Sequence, residues 1–371
     1  MPPGTNGSGT NIDLSLGQGI NSGTYPVALI DSSSNKLLVI TTNGANNNKL
    51  SLFRCNLDGT SCTHTDISAG QGTGSGGDLP SGVIDYISNK LIVVTNNGAN
   101  NNKPSLFRCN LDGSNCTHTD ISIGQGTGSG NAPSVVIDSI SSKVLVLTKN
   151  VANNSKPSLF RCDLDGTNCT HTDISTGQGS DCGWSPFAII DSISNKLLVV
   201  TTNGANSFKP SLFRCNLDGS NCTHTDISAS ENANSGMTPA AVIDPILNKL
   251  LVVTYNYARN GKSSLFRCDL NGSNCTHSDI STGQGTDSGY TPSVLLDLIS
   301  SKILVVTFNV ANSSKPSLFR CNSDGSNCTH TDISAGQGYS SGQQPFALFD
   351  PITGKLLVVT TNNSLPSLFL W

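Results

Sequence analysis

Short unbroken apolar runs recur along the chain, Leu37-Leu38-Val39-Ile40 and Leu197-Leu198-Val199-Val200 among them, each bounded by Asn, Ser, Gly, Asp or Pro. None has the length or the 3.6-residue period of a helix, so the pattern predicts β-strands. Residues 134–175 show the unit: strand A over 134–138, B over 144–148, C over 158–163 and D over 169–175. Strand B is apolar throughout in every copy, which suits a strand covered on both faces. The unit repeats about every 53 residues. Ser-Leu-Phe begins at Ser51, Ser105, Ser158, Ser211, Ser264, Ser317 and Ser367, and strand A closes on Asp31, Asp85, Asp138, Asp191, Asp244, Asp297 and Asp350.

Seven such units predict an all-β, seven-bladed β-propeller of four-stranded antiparallel blades. Asn11-Ile12-Asp13-Leu14-Ser15 reads like a strand D, and the chain ends on Ser367-Leu368-Phe369, a strand C. The N-terminal strand is therefore expected to complete the last blade. A single domain over 11–371, preceded by a flexible segment 1–10, follows. Trp371 falls where other blades carry their first half-cystine.

Between strands C and D, sequences such as Cys55-Asn56-Leu57-Asp58-Gly59-Thr60-Ser61-Cys62 place Asp-Gly where a type I′ turn wants it. That turn sets Leu57 against Thr60, Asn56 against Ser61 and Cys55 against Cys62. Directly opposed positions are within disulfide reach. Six local pairs are expected: Cys55–Cys62, Cys109–Cys116, Cys162–Cys169, Cys215–Cys222, Cys268–Cys275 and Cys321–Cys328. Each short loop contributes about 2.5 kcal/mol at best.

Only 12% of residues are charged and the net charge is −4, a composition that offers no broad basic surface for nucleic acid or anionic lipid. No apolar stretch reaches membrane-spanning length, so no direct membrane insertion is expected, and 1–5 lack a signal-like core. Twelve paired cysteines nonetheless point to an oxidising compartment: extracellular, cell-surface or periplasmic. Sequons such as Asn115-Cys116-Thr117 and Asn271-Gly272-Ser273 are candidates for glycosylation in a eukaryotic secretory path.

The A–B segments, for example Pro292-Ser293-Val294-Leu295-Leu296-Asp297 with Lys302-Ile303-Leu304-Val305-Val306-Thr307, resemble repeats of YVTN-type and related surface-layer β-propellers, as does 239–254. The likeness covers about a third of each repeat and implies fold and surface location, with no functional residue carried over. The Asp-Gly hairpin also resembles the Asp-box of sialidase-like propellers, with Cys where that motif closes on Trp.

Several motifs admit chemistry. Strand D carries His64/Asp66, His118/Asp120, His171/Asp173, His224/Asp226, His277/Asp279 and His330/Asp332 on one face. Six copies on outer strands favour a structural role over a catalytic dyad. Zinc at Cys-x6-Cys-x-His competes with the disulfide, and calcium at 163–168 lacks a distal bidentate carboxylate. Gly-Gln-Gly has no following helix to cradle a phosphate. No catalytic residue, metal or cofactor is assigned.

In an A-B-C-D meander the A–B and C–D turns share one face, and the B–C and D–A connections share the other. The second set varies. Its early copies carry Gly, Asn and Ser, and its later ones Trp184, Phe208, Glu231, Met237, Tyr255, Tyr257, Arg259, Asp287, Tyr290 and Phe308. Glu231 replaces a recurrent Gln, and the odd Cys182 lies in the same sector as either a free thiol or an intermolecular link. Aromatic faces beside a few charges suit sugars or extended peptides. The expected ligand site is Trp184, Phe208, Glu231, Tyr255, Tyr257, Arg259, Asp287 and Tyr290. The expected role is a non-enzymatic binding or adhesion module for a glycan or extracellular protein. The alternative is a self-assembling structural subunit or decoration of an extracellular layer or filament.

Overall fold

The computed structural model describes residues 9–281 and 283–371. Seven separate four-stranded antiparallel sheets form the blades, I to VII in chain order. Blade IV is typical: strand A is Trp184–Asp191, B is Lys196–Asn203, C is Lys209–Asn216 and D is Thr223–Asp226. Strand A of each blade touches strand A of the next, all the way round, so these strands line the axis and strands D lie at the rim. Strand B is buried in every blade because leucines and valines on its two faces pack into different inter-blade clusters. Leu197 and Val199 join blade III, and Leu198 and Val200 join blade V.

Blade VII consists of Gln343–Phe349, Leu356–Asn362, Leu365–Leu370 and the N-terminal strand Thr10–Asp13. Thr10 pairs with Leu370 and Asp13 with Ser367, and Leu14 is fully buried in the core behind them. This is the expected closure. Residues 1–8 of the expected flexible segment lie outside the described residues. Trp371 exchanges backbone hydrogen bonds with Leu356, the place Cys55 holds opposite Leu37 in blade I. Gly9 stands where the second cysteine would be: a Cβ there would come within 2.7 Å of the Trp371 ring. An indole lying over a glycine thus replaces the disulfide.

All six expected disulfides are present, with Cα separations of 4.0–4.1 Å. The turn that brings them together differs from the expected type I′. Gly59 N–H donates to Asn56 O at 2.9 Å, so Leu57 and Asp58 form the corner, and Gly59 (φ 78°) takes the left-handed position. Asn56 then pairs with Thr60 rather than with Ser61. The extra residue is absorbed at Ser61, whose φ is 50°, so Cys55 still meets Cys62. The cause is the Asp58 carboxylate, which accepts from Thr60 N–H at 2.9 Å and Thr60 Oγ1 at 2.6 Å. This side-chain turn is favoured without positive φ at Asp.

Candidate functional site

The varied face begins with a local irregularity. At the start of strand A the register slips between Trp184 and Phe187, with Ser185 at φ 46°. The same bulge recurs at Ala132, Thr238, Thr291 and Gln344. A bulge bends the strand and re-aims the residue before it. Trp184 is swung over the preceding blade, where Lys149 Nζ lies 2.9 Å from its ring centroid. Burial lowers the Lys149 pKa, a shift partly offset by Asp181. Asp181 also accepts from the indole N–H at 3.3 Å. The edge of Phe208 packs on Trp184 with centroids 6.4 Å apart. Trp184 keeps 38% of its surface exposed.

A second aromatic group sits between blades V and VI. Tyr290, swung over blade V by the same bulge, packs on Tyr255 with ring centroids 4.3 Å apart and planes tilted by 41°, and Tyr257 meets Tyr255 edge-on at 4.6 Å. Phe308 closes the far side of Tyr290 at 6.2 Å. Tyr255 is only 2% exposed, and its hydroxyl donates to Asp287 at 2.5 Å. Burial and then this hydrogen bond raise its pKa. The neighbouring Tyr257 hydroxyl, and then burial, raise the Tyr290 pKa. Tyr255 and Asp287 therefore support the site from below, and Tyr257, 49% exposed, is the surface a ligand meets.

Glu231 and Arg259 form the charged part. The Arg259 guanidinium makes a two-pronged pair with Glu231, Nε to Oε2 at 2.9 Å and Nη2 to Oε1 at 2.7 Å. This pairing is the main reason the Glu231 pKa lies below its usual value. In other blades the equivalent glutamine caps the end of strand B: Gln125 accepts from Asn150 and Gln284 from Asn309, both at 3.1 Å. Glu231 keeps that role weakly, at 3.5 Å from Asn256, and uses its remaining lone pairs for Arg259.

Glu231 Oε1 also lies 3.3 Å from His277 Nδ1, and His277 Nε2 is 2.9 Å from Ser264 Oγ. The order Ser–His–Glu is that of a nucleophilic relay. The set was not legible in the sequence beyond the change of Gln to Glu231. Ser264 is completely buried and accepts from Asn256 at 3.0 Å. The same Ser–His contact recurs at Ser51–His64, Ser158–His171, Ser211–His224 and Ser317–His330. With no exposed oxygen to attack with, the set ties strand D to strands B and C. Each ring also packs on a core phenylalanine, as His64 does on Phe53 at 5.0 Å. The strand D aspartates accept from the next turn, Asp66 from Ser68 N–H at 2.8 Å. Asp165, in the suggested calcium loop, accepts from Thr167 N–H and Oγ1.

Of the eight expected site residues, Trp184 and Phe208 form one patch, and Tyr255, Tyr257, Tyr290 and Asp287 form another. Glu231 and Arg259 pair beside the second. No aromatic contact joins the two patches among the described residues. Cys182 is fully buried and unpaired. Burial pushes its thiol pKa up to about 11, and the absence of exposure removes the intermolecular-link alternative for the folded chain. Sequence reasoning missed Lys149 and Asp181, which only the bulge brings to Trp184.

No family model and no curated protein matches the sequence. Among solved structures, the chain is similar to a protein of unknown function from Dyadobacter fermentans, with 10% identity, 97% of each chain covered and a TM-score of 0.56. It is also similar to puromycin hydrolase, with 12% identity and a TM-score of 0.57 over 94% of this chain. The match spans only 51% of that hydrolase. The propeller domain of the Trilobed protease from Pyrococcus furiosus aligns over 94% of this chain and 96% of its own, with 10% identity and a TM-score of 0.49. The chain is a β-propeller at the level of fold. The surface-layer resemblance gains no support beyond that level.

Proposed function

We propose that the protein is a secreted or surface-displayed, non-catalytic binding module, and that a glycan is its ligand. The ligand is held on the face of the B–C and D–A connections, across blades IV to VI. The observation that carries the reading is the built support beneath the exposed rings. Lys149 and Asp181 fix Trp184, and Tyr255 with Asp287 props Tyr257. Exposed aromatic rings held rigidly bind at little ordering cost, and the Arg259–Glu231 pair offers directional hydrogen bonds to hydroxyls. Six disulfides fit an oxidising compartment. No helix among the described residues is long and apolar enough to cross a membrane.

A glycan array followed by calorimetric titration tests this. Trp184→Ala, Tyr257→Ala and Arg259→Ala should each weaken binding about tenfold or more, as expected of hot spots. Tyr339→Ala, an exposed tyrosine on the same face outside the sector, should leave affinity unchanged. Equal binding at every blade, or polymerisation with no ligand bound, would overturn the proposal, the second in favour of a structural subunit.

A further inference from the structure

The opposite face carries a feature of its own. Two residues after the strand A aspartate, six of the seven A–B turns bear isoleucine: Ile87, Ile140, Ile193, Ile246, Ile299 and Ile352. All six are between 65% and 99% exposed. Their backbones are fixed, because each isoleucine N–H donates to that aspartate at 2.8–3.1 Å. Since strands A line the axis, these turns form a ring of branched apolar side chains around it. Blade I alone breaks the ring with Ser33, in the same turn geometry. The lysines that open strand B in blades I to VI are engaged within their own blades, Lys90 with Asn110, Lys143 with Asp163 and Lys249 with Asp269 among them, and only Lys355 of blade VII has no such partner among the described residues.

We infer that this ring is the contact surface of a homodimer in which two propellers meet face to face, on a two-fold axis running through blade I. A seven-station ring superposes on a second copy about an axis through one station. Only the axis through blade I sets Ser33 against Ser33 and matches every isoleucine with an isoleucine: Ile87 with the second copy's 352 position, Ile140 with 299, and Ile193 with 246. Any other axis sets Ser33 against an isoleucine. Each isoleucine offers on the order of 100 Å². With Tyr86, Leu247 and Leu298, exposed in the same turns, the ring approaches the roughly 800 Å² per partner of a standard interface. A lipid surface fits less well. Membrane-surface elements set Trp and Tyr beside free basic residues, whereas these turns hold one aromatic, Tyr86, and the basic side chains beside them are engaged, the lysines as above apart from Lys355, and Arg54, Arg108, Arg161 and Arg214 with the turn serines. The arrangement leaves both aromatic sectors pointing outward and is independent of what they bind.

Sedimentation equilibrium of the full chain should show a dimer at micromolar concentration. Ile193→Ser with Ile246→Ser, which copies the blade I turn and removes four isoleucines per dimer, should raise the dissociation constant roughly a thousandfold or more while leaving the far-UV circular dichroism spectrum of the fold unchanged, and should abolish the concentration dependence of the melting temperature that a dimer shows. Under mild oxidation Ser33→Cys should give a disulfide-linked dimer, and Ile140→Cys, far from its own copy, should not. A wild-type monomer at high micromolar concentration, an open-ended polymer, a dimer indifferent to the double substitution, or failure of Ser33→Cys to cross-link would overturn the inference. So would flotation of a monomeric wild-type chain with phosphatidylcholine vesicles, which would assign the ring to a lipid surface.

Discussion

Replacing Cys182 by serine, the residue other blades carry at that position, is expected to lower stability by about 1–3 kcal/mol, the cost of burying a hydroxyl without a partner. The controls are Ser22, Ser75, Ser129, Ser235, Ser288 and Ser341, all fully buried and all without a hydrogen-bond partner for the hydroxyl. The backbone is the same in each case: the Cys182 carbonyl accepts from Thr201 at 2.8 Å, as the Ser129 carbonyl does from Thr148. Only the side chain differs, and Cys182 packs in an apolar cluster with Leu147, Leu159 and Ile174. For a chain of 371 residues, the loss corresponds to a fall of roughly 1–4 °C in melting temperature. The reverse change, Ser235→Cys, should raise it by a similar amount. Calorimetry under non-reducing conditions, with thiol titration of folded and unfolded protein, reads both. The wild-type thiol should react only after unfolding. If Cys182→Ser proves neutral or stabilising, the serine hydroxyls are satisfied and the reasoning fails.

Acid should weaken the fold well above the carboxylate range. Burial lowers the pKa of His64, His118, His171, His224, His277 and His330 below the usual 6.5. Below pH 6.5 the unfolded chain therefore binds more protons than the folded one. The stability these rings contribute is present above that pH and is lost as pH falls through it. Melting temperatures should be level near pH 8 and decline from about pH 6.5 downward; a level profile to pH 4.5 would refute this. Removing residues 1–19 deletes the strand Thr10–Asp13 and the buried Leu14. Stability should fall by at least the 2–5 kcal/mol typical of a core leucine truncation, with self-association at the exposed edge. A monomer with an unchanged melting temperature would count against the closure.

The blades were legible because the same alternation is written seven times, and an apolar strand B has no other way to cover both faces. The closure was legible because Asn11–Asp13 repeats a strand D that blade VII lacks. The hairpin was misread at one point. Asp-Gly favours a type I′ turn in general, but the Asp58 carboxylate captures Thr60 and moves the corner back by one residue. The site was legible as a sector but not as a mechanism of support. Exposed and buried aromatics look alike in a sequence, so Tyr255 ranked with Tyr257 although only the second meets solvent. The positive-φ bulges, of which the one at Ser185 sets Trp184 over Lys149, fall on Tyr, Ala, Ser, Thr and Gln, residues that do not signal such a conformation.

Blade VII joins residues some 360 positions apart, Thr10 with Leu370, which has a consequence during synthesis. At about 5–20 residues per second the N-terminal strand emerges tens of seconds before its partner. An unpaired strand invites wrong pairing for as long as it waits. The two halves of the contact are matched to that delay. The strand that waits is four residues long, Thr-Asn-Ile-Asp, and mostly polar, whereas its partner, Leu-Pro-Ser-Leu-Phe-Leu, is apolar and is made after the other strands of the propeller. The sticky half of the clasp is thus never exposed for long, because the other blades and the waiting strand are already in place when it appears.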